Sequence, residues 1–173
     1  GSPNAGGTWT GPNDQPFTGP YVPGTSQPGA YTYTVAGQTP CSNASAVVAI
    51  TEHRQPTAGT GTALSLCSTD GPVTLFNALG ATPDPGGNWT APGGSSSTGI
   101  FMPASGVPGV YTYALNATAP CVTASANVAI TVNQAPDAGA DAVVSVCADG
   151  GAVDLFDALA GTPDTGGAWT DDD

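Results

Sequence analysis

Apolar and polar positions alternate along short runs of this chain, and nowhere do they recur at the spacing of an amphipathic helix. Leu64 and Leu66 flank Ser65, Val73 and Leu75 flank Thr74, and Val128, Ile130 and Val132 alternate with Ala129 and Thr131. A period of two marks a strand with one buried face. Val110-Tyr111-Thr112-Tyr113 adds β-branched and aromatic residues, which fit a pleated, half-buried surface. Turn chemistry separates the runs at Asp70-Gly71-Pro72, Pro85-Gly86-Gly87, Pro92-Gly93-Gly94 and Gly106-Val107-Pro108-Gly109. The pattern predicts many short strands, with one exception. Phe76-Asn77-Ala78-Leu79 reads as a single helical turn with Phe76 and Leu79 turned inward.

The pattern repeats. Trp9, Trp89 and Trp169 recur at one constant spacing, and the same interval separates Cys41 from Cys121 and Cys67 from Cys147. The motif P-x-x-G-G-x-W-T runs from Pro3 to Thr10, from Pro83 to Thr90 and from Pro163 to Thr170. Y-T-Y followed by P-C occurs at Tyr31–Cys41 and Tyr111–Cys121, and P-x-A-G…S-x-C…L-F-x-A-L at Pro56–Leu79 and Pro136–Leu159. A fixed, gapless period is the signature of repeated structural units. Polar junctions at His53-Arg54-Gln55-Pro56 and Asn133-Gln134-Ala135-Pro136 divide the chain. Residues 1–54 match the later part of a repeat, 55–134 form a complete one, and 135–173 match the beginning of the next. Roughly seven strands in such a unit predict an all-β fold of tandem immunoglobulin-like β-sandwich repeats of about 80 residues.

The two partial units could complement each other between chains, as in strand-donated fibres. A unit joined in that way would carry the G-G-x-W-T segment twice, so a longer array cut at these points is the simpler expectation.

Composition narrows the function. Gly (25) and Pro (17) are abundant and only 8% of residues are charged, which suits turns between short strands. The net charge is −12 with Arg54 the single basic side chain besides His53, so the chain cannot neutralise phosphates or favour an anionic membrane. No apolar run approaches the roughly 20 residues of a membrane-spanning helix. Catalysis requires groups that exchange protons or attack, and the acids Asp14, Asp70, Asp84, Asp149 and Asp164 sit in Gly/Pro turns. The expectation is a chain that is not an enzyme.

A small unit buries limited apolar surface, so a covalent staple is expected. Four cysteines allow three pairings. Pairing within the complete repeat joins Cys67 to Cys121, leaving Cys41 and Cys147 with partners outside the fragment; the competing scheme joins Cys41 to Cys67 and Cys121 to Cys147 across the junctions. A unit that folds alone should close its own bridge, and such a bridge would contribute about 4 kcal/mol. Cystines also imply an oxidising, extracytoplasmic setting.

Together the P-D-x-G-G-x-W-T segment, the late G-x-Y-T-Y and a Cys ahead of a closing A-x-V-x-I-T-V strand resemble a known group. These are the Ig-like repeats of very long surface adhesins and gliding-motility-associated proteins of Bacteroidota. The resemblance spans the whole chain. It implies type IX secretion, anchoring through another part of the polypeptide, and a place in an extracellular, cell-surface stalk or adhesive filament. It supplies no ligand.

Three further features invite chemistry. Asp137, Asp141 and Asp171-Asp172-Asp173 are candidate calcium ligands at a repeat junction, although Thr57 and Gly61 occupy the positions matching the first two. Trp9, Trp89 and Trp169 could stack on sugars, but their fixed place after Gly-Gly favours structural core. Tyr31 and Tyr33, like Tyr111 and Tyr113, share one face of a strand, with burial preferred to an adhesive patch. N-x-[ST] triplets at Asn43, Asn88 and Asn116 are expected by chance in so Thr- and Ser-rich a chain.

The expected role is therefore structural and adhesive. Partners are neighbouring repeats of the same chain, other copies in a fibre, or a surface glycan or host-cell ligand. A polymerising fibre subunit and a carbohydrate-binding module are the alternatives.

Overall fold

A computed structural model describes residues 6–170. The protein is built almost entirely of β-strands, in several sheets. It falls into two compact units. The first holds Gly1–Pro56 together with Asn116–Ala124, and the second holds Thr57–Leu115 and Ser125–Asp173. The division thus comes between Pro56 and Thr57, and residues 135–170 group with the second unit.

In the first unit, β1 (Thr8–Thr10), β2 (Pro16–Phe17), β3 (Gly29–Val35) and β4 (Ala44–Ile50) form one sheet in the order β2-β1-β3-β4. β4 runs antiparallel to β3, from Gly29↔Ile50 to Val35↔Ala44, and is an edge strand.

The second unit contains β5 (Thr62–Cys67), β6 (Val73–Thr74), β7 (Asn88–Thr90), β8 (Ser96–Ser97), β9 (Ile100–Phe101), β10 (Gly109–Leu115) and all but the first residue of β11 (Ala124–Asn133). A five-stranded sheet has the order β5-β11-β10-β7-β8, and β6 pairs with β9 apart from it. β5 runs parallel to β11, with Val128↔Thr62 at one end of the ladder and Asn133↔Cys67 at the other. A parallel pair needs a long connection between its strands. Here the first strand of the repeat lies against the last.

Alternation along β10 and β11 puts Tyr111, Tyr113, Leu115, Ala126, Val128 and Ile130 in the core. Trp89, Phe101, Leu75 and Leu79 complete it. The helical turn is present as a 3-10 turn over Leu75–Ala78, one residue earlier than expected. Leu75 and Leu79 are its buried residues and Phe76 is half-buried, its ring edge-on to Tyr113 at 5.5 Å. The matching segment of residues 135–170 makes a short helix, α1 (Leu155–Ala158), capped by Asp154, whose carboxylate accepts from the Phe156 N–H.

Each Trp of the first two repeats meets a Tyr in the same way. Trp9–Tyr33 and Trp89–Tyr113 both have ring centroids 5.1 Å apart and planes inclined at 40°. The surroundings differ. Trp89 is buried, and Gly99, at φ +77°, passes so close that a Cβ there would lie 2.6 Å from the indole ring. Trp9 is 37% and Trp169 61% exposed, which corrects the expectation of three core tryptophans. The cause is incompleteness: residues 6–53 contain no counterpart of β5, β6 or the Leu75 turn, and residues 135–170 none of β10 or β11.

The cystine expected within the repeat is also corrected. All four cysteines are free thiols. Cys67 closes the parallel ladder beside Asn133, whereas Cys121 precedes Ala124 at the opposite end of β11. Ten residues of strand at about 3.3 Å each separate those ends. A disulfide needs Cα atoms about 5.5 Å apart. Cys67 and Cys121 cannot meet without taking the sheet apart.

Candidate interaction surfaces

Two hollows mark where the repeats are incomplete. The first, about 240 Å³, lies in the first unit against Trp9, Phe17, Tyr21, Tyr31, Val48 and Ile50. Val48 is 50% exposed, while Val128, the same residue one period on, is fully buried at 0%. The second hollow, about 360 Å³, is lined by Asp141, Phe156, Leu159, Asp164 and Trp169 among others. In the complete repeat the space between the matching Phe76 and Trp89 is filled by Tyr113, which touches both rings. Each hollow is half of the same core.

Asp137 and Asp141 are placed apart from any metal-holding cluster among the described residues. No group of three or more His, Cys, Asp or Glu side chains positioned to hold a metal ion occurs among the described residues. Asp137 serves its own loop. Its Oδ1 accepts the Gly139 N–H at 2.8 Å, its N–H donates to Asp164 Oδ2 at 3.0 Å, and its carbonyl accepts the Asp164 N–H at 2.7 Å. Thr57 and Asp84 make the same set one repeat earlier, with Thr57 Oγ1 in place of the carboxylate. Asp137 therefore substitutes for Thr57 as a loop clamp, and the side-chain oxygen is already engaged. Asp141 is exposed, and Asp171, Asp172 and Asp173 lie outside the described residues. A chelator added to the purified chain is expected to leave its melting temperature where it was; a clear drop would restore calcium as a ligand.

The turn acids act through their carboxylates. Asp70 Oδ2 accepts the Cys67 N–H at 2.7 Å and Asp84 Oδ2 the Thr57 N–H at 2.9 Å. Beside Asp70, the Thr69 hydroxyl lies 3.2 Å from the Cys67 sulfur. Its hydrogen bond, followed by that of the Thr69 backbone, holds the Cys67 thiol below the usual thiol range.

Sequence reasoning missed one polar site. The Tyr21 hydroxyl donates to Glu52 Oε1 at 2.6 Å, and the same oxygen accepts the Gly24 N–H at 2.9 Å. The signal was there: both positions break the repeat together, becoming Phe101 and Val132 one period later. Desolvation first, then the bond to Glu52 and its charge, push Tyr21 from 10.0 up to about 12. The Tyr21 bond, ahead of the Gly24 one, holds Glu52 below the usual carboxylate range.

A depressed carboxylate stabilises the fold above its unfolded pKa, and that stabilisation is lost as pH falls through the folded value. The raised phenol contributes below the unfolded value of 10.0 and loses its contribution as pH rises through about 12. In an NMR-detected titration Tyr21 should ionise at about 12, and Glu52→Gln should bring it down. Ionisation of Tyr21 at 10.0 in both proteins would mean that the pair does not form.

Tyr31, Tyr111 and Tyr113 are buried and Tyr33 is half-buried, so their shared face is core rather than an adhesive patch. Burial pushes the Tyr111 phenol up. His53 and Arg54 stay exposed at the junction. The His53 carbonyl accepts from Cys121 Sγ at 3.1 Å. Beside it, Gln55 bonds Val122 in both directions, Nε2 to the carbonyl and Oε1 from the N–H. No helix is long and apolar enough to cross a membrane among the described residues.

No protein-family model matches the chain, and no curated protein does.

Proposed function

We propose that this chain is a structural and adhesive segment of a large extracellular protein, in which immunoglobulin-like β-sandwich repeats form a stiff stalk or filament at the cell surface. The observation that carries this reading is the recurrence of one aromatic core unit at a constant interval, with the same Trp–Tyr geometry in both copies. A repeated unit joined by a short Pro-containing linker gives length and stiffness rather than a reaction centre. The scarcity of basic side chains and the clamping of the turn acids by backbone N–H groups support a non-enzymatic role. The motif resemblance to Bacteroidota surface adhesins and gliding-motility-associated proteins supports export by the type IX route.

Immunogold labelling of source cells with an antibody raised against this chain tests the reading. Label along filaments or stalks outside the cell is the expected result. Label confined to the cell interior, or tight binding of one soluble glycan by the purified chain, would replace it with an intracellular or a carbohydrate-binding role.

A further inference from the structure

Two contacts of the complete repeat concern one position in the period. Where β11 ends, Cys67 is the ladder partner of Asn133, and the Asn133 carbonyl accepts the Ser68 N–H at 2.9 Å. The Ser68 hydroxyl accepts the Ala135 N–H at 3.0 Å, fastening the outgoing chain. Ahead of β11, Cys121 Sγ donates to the His53 carbonyl at 3.1 Å. Gln55 grips Val122 beside it, donating to its carbonyl at 2.5 Å and accepting its N–H at 3.1 Å. His53 is the residue that matches Asn133 one period earlier. Each contact lies inside one compact unit.

The turns around the cysteines recur, so both placements belong to the repeat. The Cys41 N–H donates to the Gln38 carbonyl at 2.7 Å, and the Cys121 N–H to the Thr118 carbonyl at 3.0 Å. The Cys67 carbonyl accepts the Asp70 N–H at 3.0 Å, and the Cys147 carbonyl the Gly150 N–H at 2.9 Å. One cysteine of a repeat therefore sits at its outgoing junction and the other at its incoming one.

Carried one period on, the Cys121 contact sets the matching cysteine of the following repeat on the Asn133 carbonyl. That oxygen has two lone pairs, one for the Ser68 N–H and one for the incoming thiol. The two donors are then no farther apart than their hydrogen bonds laid end to end, 2.9 Å and 3.1 Å. Cys67 directly precedes Ser68, which puts the two cysteines side by side, as a cystine with Cα atoms about 5.5 Å apart requires. Oxidation removes the thiol proton, and the Ser68 N–H keeps the carbonyl satisfied.

On the reading of this chain as part of a longer array, we propose that the cysteine at the Cys67 position of each repeat is joined by a cystine to the cysteine at the Cys121 position of the next. None of the four partners falls within residues 1–173, in keeping with four free thiols. The ring that one such cystine closes is longer than a repeat, so consecutive rings overlap and every junction lies inside one. A single backbone cut then leaves the array in one piece, and tension crosses each junction through the cystine as well as the linker.

Closing the bridge requires a disulfide oxidant, such as oxidised glutathione. The Cys67 thiolate attacks one glutathione sulfur, breaking the glutathione disulfide and releasing one glutathione thiolate. The facing cysteine thiolate then attacks the Cys67 sulfur of the mixed disulfide and expels the second. Two protein thiols are oxidised to one cystine, one glutathione disulfide is reduced, and the two protons end on the two glutathione thiols.

The full chain lengthened in phase by a second copy of residues 94–173 contains the two complete repeats that the bridge needs. Oxidised at high dilution with oxidised glutathione, it should form one cystine within the chain, at Cys67. Cys121→Ser, with its appended copy kept, should retain this bridge, and non-reducing peptide mapping should join Cys67 to the appended cysteine. The reciprocal variant, with Cys121 kept and its appended copy changed to Ser, should leave Cys67 unbridged. One protease cut between the bridged cysteines should give a single band in non-reducing electrophoresis and two bands after reduction. Cys67 left unbridged in the lengthened chain, or bridged to Cys121 in the reciprocal variant, would overturn the proposal. So would a Cys41–Cys67 or Cys121–Cys147 cystine within the 173-residue chain. The bridge needs only two repeats, so immunogold label confined to the cell interior would remove the stalk reading and leave the pairing standing.

Discussion

Leu75→Ala lowers the unfolding free energy of the second unit by about 2–5 kcal/mol, the range for a leucine removed from a core that cannot collapse around the hole. Leu75 is fully buried, and the turn that carries it is held by the Leu75 N–H donating to the Gly99 carbonyl at 2.8 Å. Leu155→Ala is the internal control. It changes the same residue type at the matching position, but Leu155 is exposed, and surface changes stay within about 0.5 kcal/mol. Urea unfolding of both variants, reduced and dilute, reads the difference. Equal losses would mean that the two segments are equally packed, contrary to their exposure.

Tyr113→Ala should cost about 3–5 kcal/mol, the range for a large aromatic truncated in a core. Tyr113 is among the largest fully buried side chains, and its ring meets both Trp89 and Phe76. Its hydroxyl accepts the Gly87 N–H at 2.8 Å and donates to the Asp84 carbonyl at 2.7 Å. Tyr113→Phe keeps the ring and removes only the hydroxyl. It should cost about 1–3 kcal/mol, because two part-buried backbone groups lose their partner. If Tyr113→Phe proved as stable as the parent, the hydroxyl would not be what pins the Pro-x-x-Gly-Gly turn.

That turn shows how far the sequence can be read. Gly86-Gly87 is legible as a turn ahead of a strand, and the recurrence of G-G-x-W-T at one constant interval points to a fixed structural role. What a period of two cannot reveal is why Gly87 is a glycine. A Cβ there would lie 2.6 Å from the Tyr113 ring and from the Ala114 carbonyl, a contact made by a strand distant in the sequence. The shared parity of Tyr111 and Tyr113 is legible, because alternation fixes which residues lie on one face; the direction of that face depends on the sheet around it.

The cysteine pairing is illegible for a related reason. Alternation finds strands but says nothing about their order or direction. Pairing the first strand of the repeat with the last, in parallel, puts Cys67 at the Asn133 end of β11, whereas Cys121 precedes its Ala124 end. The Asp137 clamp is obscured likewise: an acid that breaks the period looks like an ion ligand, and the structure gives it the backbone role that Thr57 has. Tyr21 and Glu52 are legible only as a pair, since each alone is an ordinary strand-end substitution.

Hydrogen exchange followed by mass spectrometry on the reduced, dilute chain tests most directly whether these repeats share one core that only residues 57–133 complete. Peptides covering β11 should exchange far more slowly than those covering β4, and residues 142–154 should exchange at once. Equal protection of β4 and β11, or strong protection across 142–154, would contradict it.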